Sequence, residues 1–183
     1  MALFQCNTSN VYEMKFGRPQ TVLNDAVRPN GVIVNLGDTL ESQAHPELDH
    51  CHAISEGSLA QVEGAFVVVA PEINAQQYRT IDGQIGKFAL EVGETYSAYK
   101  LQKLDRLEYS EAYFDEVPAL GAKVNVKAGT GLAPRFSKDG QALRVVSVVD
   151  LWLPVMLQAN QEPNQPATLM PASVKMVKLE VIK

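Results

Sequence analysis

The sequence is poor in cysteine and has no long apolar run. Only Cys6 and Cys51 occur among its 183 residues, too few for the disulfide framework of a small secreted domain. No apolar stretch approaches the ~20 residues of a membrane-spanning helix, and the opening residues MALFQCNTSN lack the basic and apolar regions of a signal peptide. We therefore expect reduced cysteines in a chain that is neither exported nor embedded in a membrane.

Sequence motifs that mark common enzyme sites are missing as well. The chain contains no Walker sequence, no Gly-x-Ser-x-Gly and no His-Glu-x-x-His. Gly129-Thr130-Gly131 is a lone Gly-x-Gly, and the pattern after it, with Pro134, does not indicate the helix that a dinucleotide site requires. These absences favour a protein that is not an enzyme and that holds no cofactor.

Positive charge is not concentrated anywhere in the sequence. The formal net charge is −5, and residues 1–75 carry three basic against nine acidic side chains. The other residues carry 13 basic and 12 acidic side chains, without the basic patch that a nucleic-acid footprint requires. We expect no binding to nucleic acid. We interpret the acidic first part as solvated surface or as a face that meets a basic partner.

What the sequence has in abundance is the pattern of short β-strands. Residues 123–127 alternate between polar and apolar, and residues 66–69 form a run typical of a strand buried on both faces. Residues 144–155 form a long apolar run rich in valine, and residues 177–181 alternate again. The pattern predicts a mainly β fold, a β-sandwich or β-barrel with long loops. It allows at most one or two short helices, one of them within residues 94–114.

We divide the chain into an extended N-terminal arm at residues 1–30 and a single β-rich domain at residues 31–183. The arm shows no sustained period, because prolines and asparagines interrupt its short apolar pieces. Within the domain, we expect polar loops at residues 37–57 and 158–167. Asp139-Gly140 predicts a tight hairpin turn, since this pair tolerates the positive φ that such a turn needs.

The densest set of possible metal ligands lies in the loop at residues 37–57. His45, His50, Cys51 and His52 could together hold zinc or a similar ion. Their spacing matches no zinc signature, and consecutive residues of an extended chain point to opposite sides. We keep a metal-binding β-barrel or a metal-dependent enzyme as an alternative. The simpler interpretation is an exposed polar loop without a metal site.

Three features of the sequence lead to a family resemblance: the arm, residues 30–39 (NGVIVNLGDT) and the closing strand at residues 177–181. In these features the chain resembles the capsid decoration, or cement, proteins of tailed bacteriophages. The resemblance implies a non-enzymatic structural protein of the virion, made in the host cytoplasm. It also implies binding to the assembled major capsid protein, with formation of a homo-oligomer or contact between lattice neighbours.

An arm that cannot bury its own apolar residues gains by lying on another subunit, where strand addition would supply main-chain hydrogen bonds. Aromatic and aliphatic anchors dominate the energies of such interfaces. The candidate anchors are Leu3, Phe4, Val11, Tyr12 and Phe16. The other possibility is that residues 1–30 pack on their own domain. A barrel that binds a small ligand in its mouth is a further alternative.

Overall fold

The computed structural model describes residues 6–40, 50–55, 57–70, 89–129, 131–138, 140–157 and 168–183, with the backbone alone at residues 16, 153–157 and 168–172. The described residues confirm the mainly β fold: they form thirteen strands, one helix of five residues and one 3₁₀ turn at Glu111–Tyr113. In chain order the other elements are β1 (Cys6–Asn10), α1 (Tyr12–Phe16), β2 (Gln20–Leu23), β3 (Arg28–Pro29), β4 (Val32–Thr39), β5 (Cys51–Ser55), β6 (Phe66–Val69), β7 (Ala89–Leu90), β8 (Thr95–Lys100), β9 (Arg106–Ser110), β10 (Lys123–Val126), β11 (Phe136–Lys138), β12 (Leu143–Leu157) and β13 (Thr168–Val181).

One group of strands closes into a small barrel in the order β2-β5-β4-β6-β8. β2 completes the closure, because it pairs in parallel with β5 on one side and antiparallel with β8 on the other. Its core is built mostly from valines, whose branched side chains suit a pleated surface. The buried members of this core are Val22, Val32, Val34, Val68, Ala70, Leu90 and Ala98. Because each strand of the closed barrel is paired on both sides, the barrel has no free edge for strand addition.

The other large group is an open six-stranded sheet in the order β1-β9-β13-β12-β10-β11. Its two longest strands, β12 and β13, pair antiparallel along their whole length. The larger hydrophobic core lies against this sheet and includes a group of aromatic rings with centroids 4.8–6.4 Å apart. The rings belong to Tyr109, Tyr113, Phe114 and Phe136.

The turn at Asn30-Gly31 connects the barrel to the open sheet. Tyr109 on β9 donates its hydroxyl proton to the Gly31 carbonyl at 2.8 Å, and Tyr113 donates to the Asn30 carbonyl. The Asn30 side chain accepts from the Ala70 N–H at 2.9 Å and donates to the Ala70 carbonyl at 3.1 Å. A buried carbonyl without such a partner would cost about 1–3 kcal/mol. These bonds therefore hold the start of β4 against β9.

The described part of the N-terminal region lies within the body rather than in the extended arm expected at residues 1–30. β1 pairs with β9 at one edge of the open sheet, and β2 is a wall of the barrel. Val11, between β1 and α1, is fully buried in the chain's own core. The strands here are only two to five residues long, so no period is visible in the sequence. Residues 1–5 lie outside the described residues.

Strands also replace part of a predicted loop and a predicted helix. β4 continues to Thr39 and β5 begins at Cys51, so the polar loop expected at residues 37–57 is partly β-structure, with its middle outside the described residues. No α-helix forms within residues 94–114, where β8 and β9 are followed by the 3₁₀ turn. The three-residue spacing of leucines there was misleading, because Leu104 occupies the turn between the strands with a φ of 73°.

Two sequence predictions concern connections between strands. Asp139 lies outside the described residues, but β11 and β12 on either side of it pair with opposite edges of β10 and not with each other. The chain there does not close a two-stranded hairpin. The polar loop expected at residues 158–167 lies outside the described residues. Among the described residues, no helix is long and apolar enough to cross a membrane.

Candidate interaction surface

The two central strands of the open sheet extend well beyond their neighbours. β9 pairs with β13 only from Met176 to Glu180, and β10 pairs with β12 only at Leu143 and Arg144. The register between β12 and β13 nevertheless continues to Leu157. Residues 150–157 and 168–175 thus form a two-stranded ribbon, about 25 Å long at a rise of ~3.3 Å per residue. This ribbon has no further strand beside it among the described elements.

One face of the ribbon continues the outward face of the open sheet. Leu151 lies opposite Val174, and Val149 lies opposite Met176 at the base of the ribbon. Val149 is 55% exposed and Leu151 is 39% exposed, whereas their two partners are buried. We call this the outer face.

The second face of the ribbon continues the buried face of the sheet and is called the core face. Its first pair is Asp150 with Lys175, which form an ion pair of 3.2 Å, and its second pair is Trp152 with Ser173. Trp152 is the only tryptophan of the chain, and 68% of its surface is exposed. Tryptophan is a frequent interface anchor because burying its large ring removes much apolar surface from water. At Trp152 most of that surface is still in contact with water.

The outer edges of the ribbon carry a pair of prolines. Pro154 lies directly opposite Pro171 in the register. Proline has no N–H, so this pair occupies a position where the two strands exchange no hydrogen bond. At such a position the backbone nitrogens face outward, and both outer edges therefore lack a donor there. Prolines at edges are a common protection against the addition of a further strand.

Below the ribbon, the outer face of the sheet is covered by ion pairs. Glu108 accepts a contact of 2.7 Å from Lys178, and the buried carboxylate of Glu180 is held between Arg106 and Arg144. Burial opposes ionisation of Glu180, but hydrogen bonds from the two guanidinium groups outweigh it and lower the pKa of that carboxyl. The outer face thus changes from paired charges on the body to apolar residues on the ribbon.

The histidine and cysteine residues do not converge where the structure describes them. His50 is exposed, Cys51 is buried within β5, and His52 is half-buried with Nδ1 3.2 Å from the Gly37 carbonyl. Successive residues of β5 point to opposite sides, which separates the thiol from both imidazoles. His45 lies outside the described residues. The described residues contain no group of three or more possible ligands close enough for a metal ion.

Beside His52, at one end of the barrel, lies an open depression of about 650 Å³ to which each of the five barrel strands contributes a residue. Charges of both signs surround it, with no buried polar group at its floor to orient a ligand. Its lining residues are Glu13, Arg18, Gln20, Leu36, Gly37, His52, Phe66 and Lys100. The centre of the barrel is occupied by the valine core described above. Ligand sites in barrels are deep and largely apolar, and this depression has neither property.

The structure distributes the predicted partner anchors over different environments. Val11 is fully buried and cannot serve as an exposed anchor, because its own domain covers it. Tyr12 is 53% exposed, and its backbone N–H donates to Asp105. Only the backbone of Phe16 is described, and Leu3 and Phe4 lie outside the described residues.

Sequence reasoning missed the ribbon as a functional surface, although the sequence contained a signal for it. Residues 151–157 and 169–172 are apolar at successive positions, not only at alternate ones. A strand that is apolar on both faces is usually covered on both, whereas Leu151 on one face of this ribbon and Trp152 on the other are exposed.

Comparisons of the chain with models of protein families, with characterised proteins and with solved structures gave no match. The function is therefore inferred from the chain's own residues and geometry.

Proposed function

We propose that the chain is a non-enzymatic structural protein of a virion that binds the assembled capsid shell and stabilises it. The observation that carries this proposal is the ribbon, which takes exposed Leu151 and Trp152 away from the body. A two-stranded ribbon is marginally stable in water without packing partners. An element of this kind is useful to a protein that works inside an assembly, where other subunits cover it.

The distribution of charged side chains supports a structural role. Several ionisable groups on the described surface are engaged in ion pairs that connect neighbouring strands or turns, as in Lys127 with Asp115 and Lys138 with Glu116. Catalytic carboxylates and bases instead gather in a cleft where burial perturbs their pKa values. The pKa of Glu180 is lowered, but hydrogen bonds from its two arginine partners, which outweigh burial, account for that shift. The shift therefore does not indicate a role in acid-base catalysis.

Particles produced by the genome that encodes this chain provide the test. We expect mass spectrometry of purified particles to find the 20.0 kDa chain at a constant ratio to the major capsid protein. Shells made without the chain should bind the purified protein until that ratio is reached, and should then withstand higher temperatures. Absence of the chain from purified particles, or failure to co-sediment with shells, would contradict the proposal.

The predicted contribution of the first residues needs a deletion that spares the body. Removing residues 2–16 would delete β1, α1 and buried Val11, so loss of binding could simply reflect unfolding. Removing residues 2–5 leaves every described strand intact and takes away Leu3 and Phe4. If these two are anchors, the shorter deletion keeps its thermal stability and loses shell binding. Unchanged binding would show that Leu3 and Phe4 are not anchors.

A further inference from the structure

Asn30 is the only asparagine of the chain that is followed by glycine. In such a pair the glycine nitrogen can attack Cγ of the asparagine side chain, because glycine has no side chain of its own to hinder the approach. Each of the other asparagines precedes a residue that has a side chain. Asn30 is therefore the asparagine of this chain that is most prone to deamidation.

In the folded protein, both reacting groups are engaged in buried hydrogen bonds. The Gly31 N–H, which would have to lose its proton, donates to the Val68 carbonyl at 2.9 Å. The side-chain nitrogen of Asn30, which would have to leave, donates to the Ala70 carbonyl at 3.1 Å, and the Ala70 N–H donates to the amide oxygen at 2.9 Å. Asn30 is only 2% exposed, so the site is shielded from water and from a base in solution. The reaction therefore requires the turn to open.

We propose that Asn30 is a deamidation site that the fold protects, and that its reaction in the unfolded chain prevents refolding. A base removes the proton of the Gly31 nitrogen, which forms a bond to Cγ of Asn30. The bond between Cγ and Nδ2 breaks, ammonia leaves, and a cyclic succinimide remains. Water then opens this ring. Cleavage of the new Cγ–N bond gives aspartate, and cleavage of the original peptide bond gives isoaspartate, whose main chain passes through Cγ.

Neither product fits the place that Asn30 occupies. An ionised aspartate can still accept from the Ala70 N–H, but it has no proton to donate to the Ala70 carbonyl, and burial of such a charge is costly. Isoaspartate lengthens the main chain by a carbon atom immediately before β4. The carbonyls to which Tyr113 and Tyr109 donate would then be displaced. A chain that has reacted therefore cannot rebuild the connection between the barrel and the open sheet.

Two samples of the purified full chain, held at the same mildly alkaline pH with and without guanidinium chloride, test the proposal. Peptide mapping by mass spectrometry follows the state of Asn30. A stable domain is unfolded for a fraction of about 10⁻³–10⁻⁶ of its molecules, so the native sample should react roughly a thousandfold more slowly or less. After removal of the denaturant, circular dichroism should show refolding only of the fraction in which Asn30 is intact. A denatured sample held at mildly acidic pH, where the Gly31 nitrogen keeps its proton, should refold completely.

Two results of this experiment would overturn the proposal. A native sample that deamidates at Asn30 as fast as the denatured one would show that the fold gives no protection. A refolding yield that falls while Asn30 is still intact would show that another change in the chain prevents refolding.

Variants separate the site of the reaction from its consequence. Asn30→Asp supplies one product directly and should be unfolded at neutral pH. Asn35→Asp makes the same charge change at an exposed position of β4 and is the matched control, which should fold like the wild type. Gly31→Val is measured only in denaturant, where its branched side chain should slow the loss of Asn30 whether or not the variant can fold. A normally folded Asn30→Asp, or an unchanged rate in Gly31→Val, would contradict the proposal.

Discussion

Replacement of Gly31 by alanine should be far more damaging than the same replacement at Gly121. Both glycines have a φ of +79°, a conformation that costs an L-residue about 1–2 kcal/mol. A Cβ at Gly31 would lie 2.5 Å from Cys6 Sγ and 2.9 Å from Cys6 Cβ, whereas a Cβ at Gly121 would meet nothing within 4 Å. The two variants therefore share the backbone penalty and differ in the steric one.

The steric penalty can be estimated from the way β1 lies on the turn. Overpacking a core by one methyl group typically costs about 1–3 kcal/mol. We expect Gly31→Ala to lower the free energy of unfolding by about 2–5 kcal/mol and Gly121→Ala by about 1–2 kcal/mol. For a chain of this size, each kcal/mol corresponds to roughly 2–4 °C in Tm. Chemical denaturation monitored by circular dichroism measures both variants.

The comparison also tests whether the N-terminal region belongs to the body. If residues 6–10 formed a free arm, no sulfur would lie beside Gly31 and the two alanine variants would be equally destabilised. A difference below about 0.5 kcal/mol, the usual limit of additivity, would therefore refute the contact between β1 and the turn. Adding Cys6→Ala to Gly31→Ala should recover part of the lost stability, because it removes the nearest clashing atom.

Two further predictions concern the buried polar groups of Tyr109 and Glu180, and a third concerns the close approach of the backbone to Gly140. Tyr109→Phe should cost about 1–3 kcal/mol in denaturation, because the Gly31 carbonyl loses its buried donor; no loss would mean that another donor replaces it. The pKa of Glu180 is lowered by Arg144 and Arg106, so its stabilising effect is complete above the ordinary value of 4.5 and is lost as the pH falls through the lowered pKa. Glu180→Gln should make unfolding less sensitive to acid in this range, and an unchanged acid limb would contradict the ion-pair account. Gly140→Ala should prevent folding or lower Tm sharply, since its Cβ would lie 2.1 Å from backbone atoms of Val124 and Asn125; a wild-type Tm would contradict this approach.

Much of the fold could be predicted from the sequence where strands are long and buried. The valine-rich run at residues 144–155 and the alternation at residues 123–127 and 177–181 correspond to β12, β10 and the end of β13. Local periodicity was sufficient there, because each of these strands turns one row of side chains into the core, as Val124, Val145 and Val177 show. At residues 6–29 it was insufficient, since each short strand is stabilised by partners far away in the sequence.

For the candidate surface, too, some properties could be predicted from the sequence and others depend on the tertiary structure. The sequence by itself determined that the chain is mainly β, that positive charge is dispersed, and that residues 151–157 are apolar at successive positions. Only the tertiary structure decided that the pairings of β9 and β10 end before the ribbon does, and that Trp152 is exposed. Hydrophobicity is a property of the residue, but burial depends on what packs against it. That arrangement is set by pairings between distant parts of the chain, which no local pattern records.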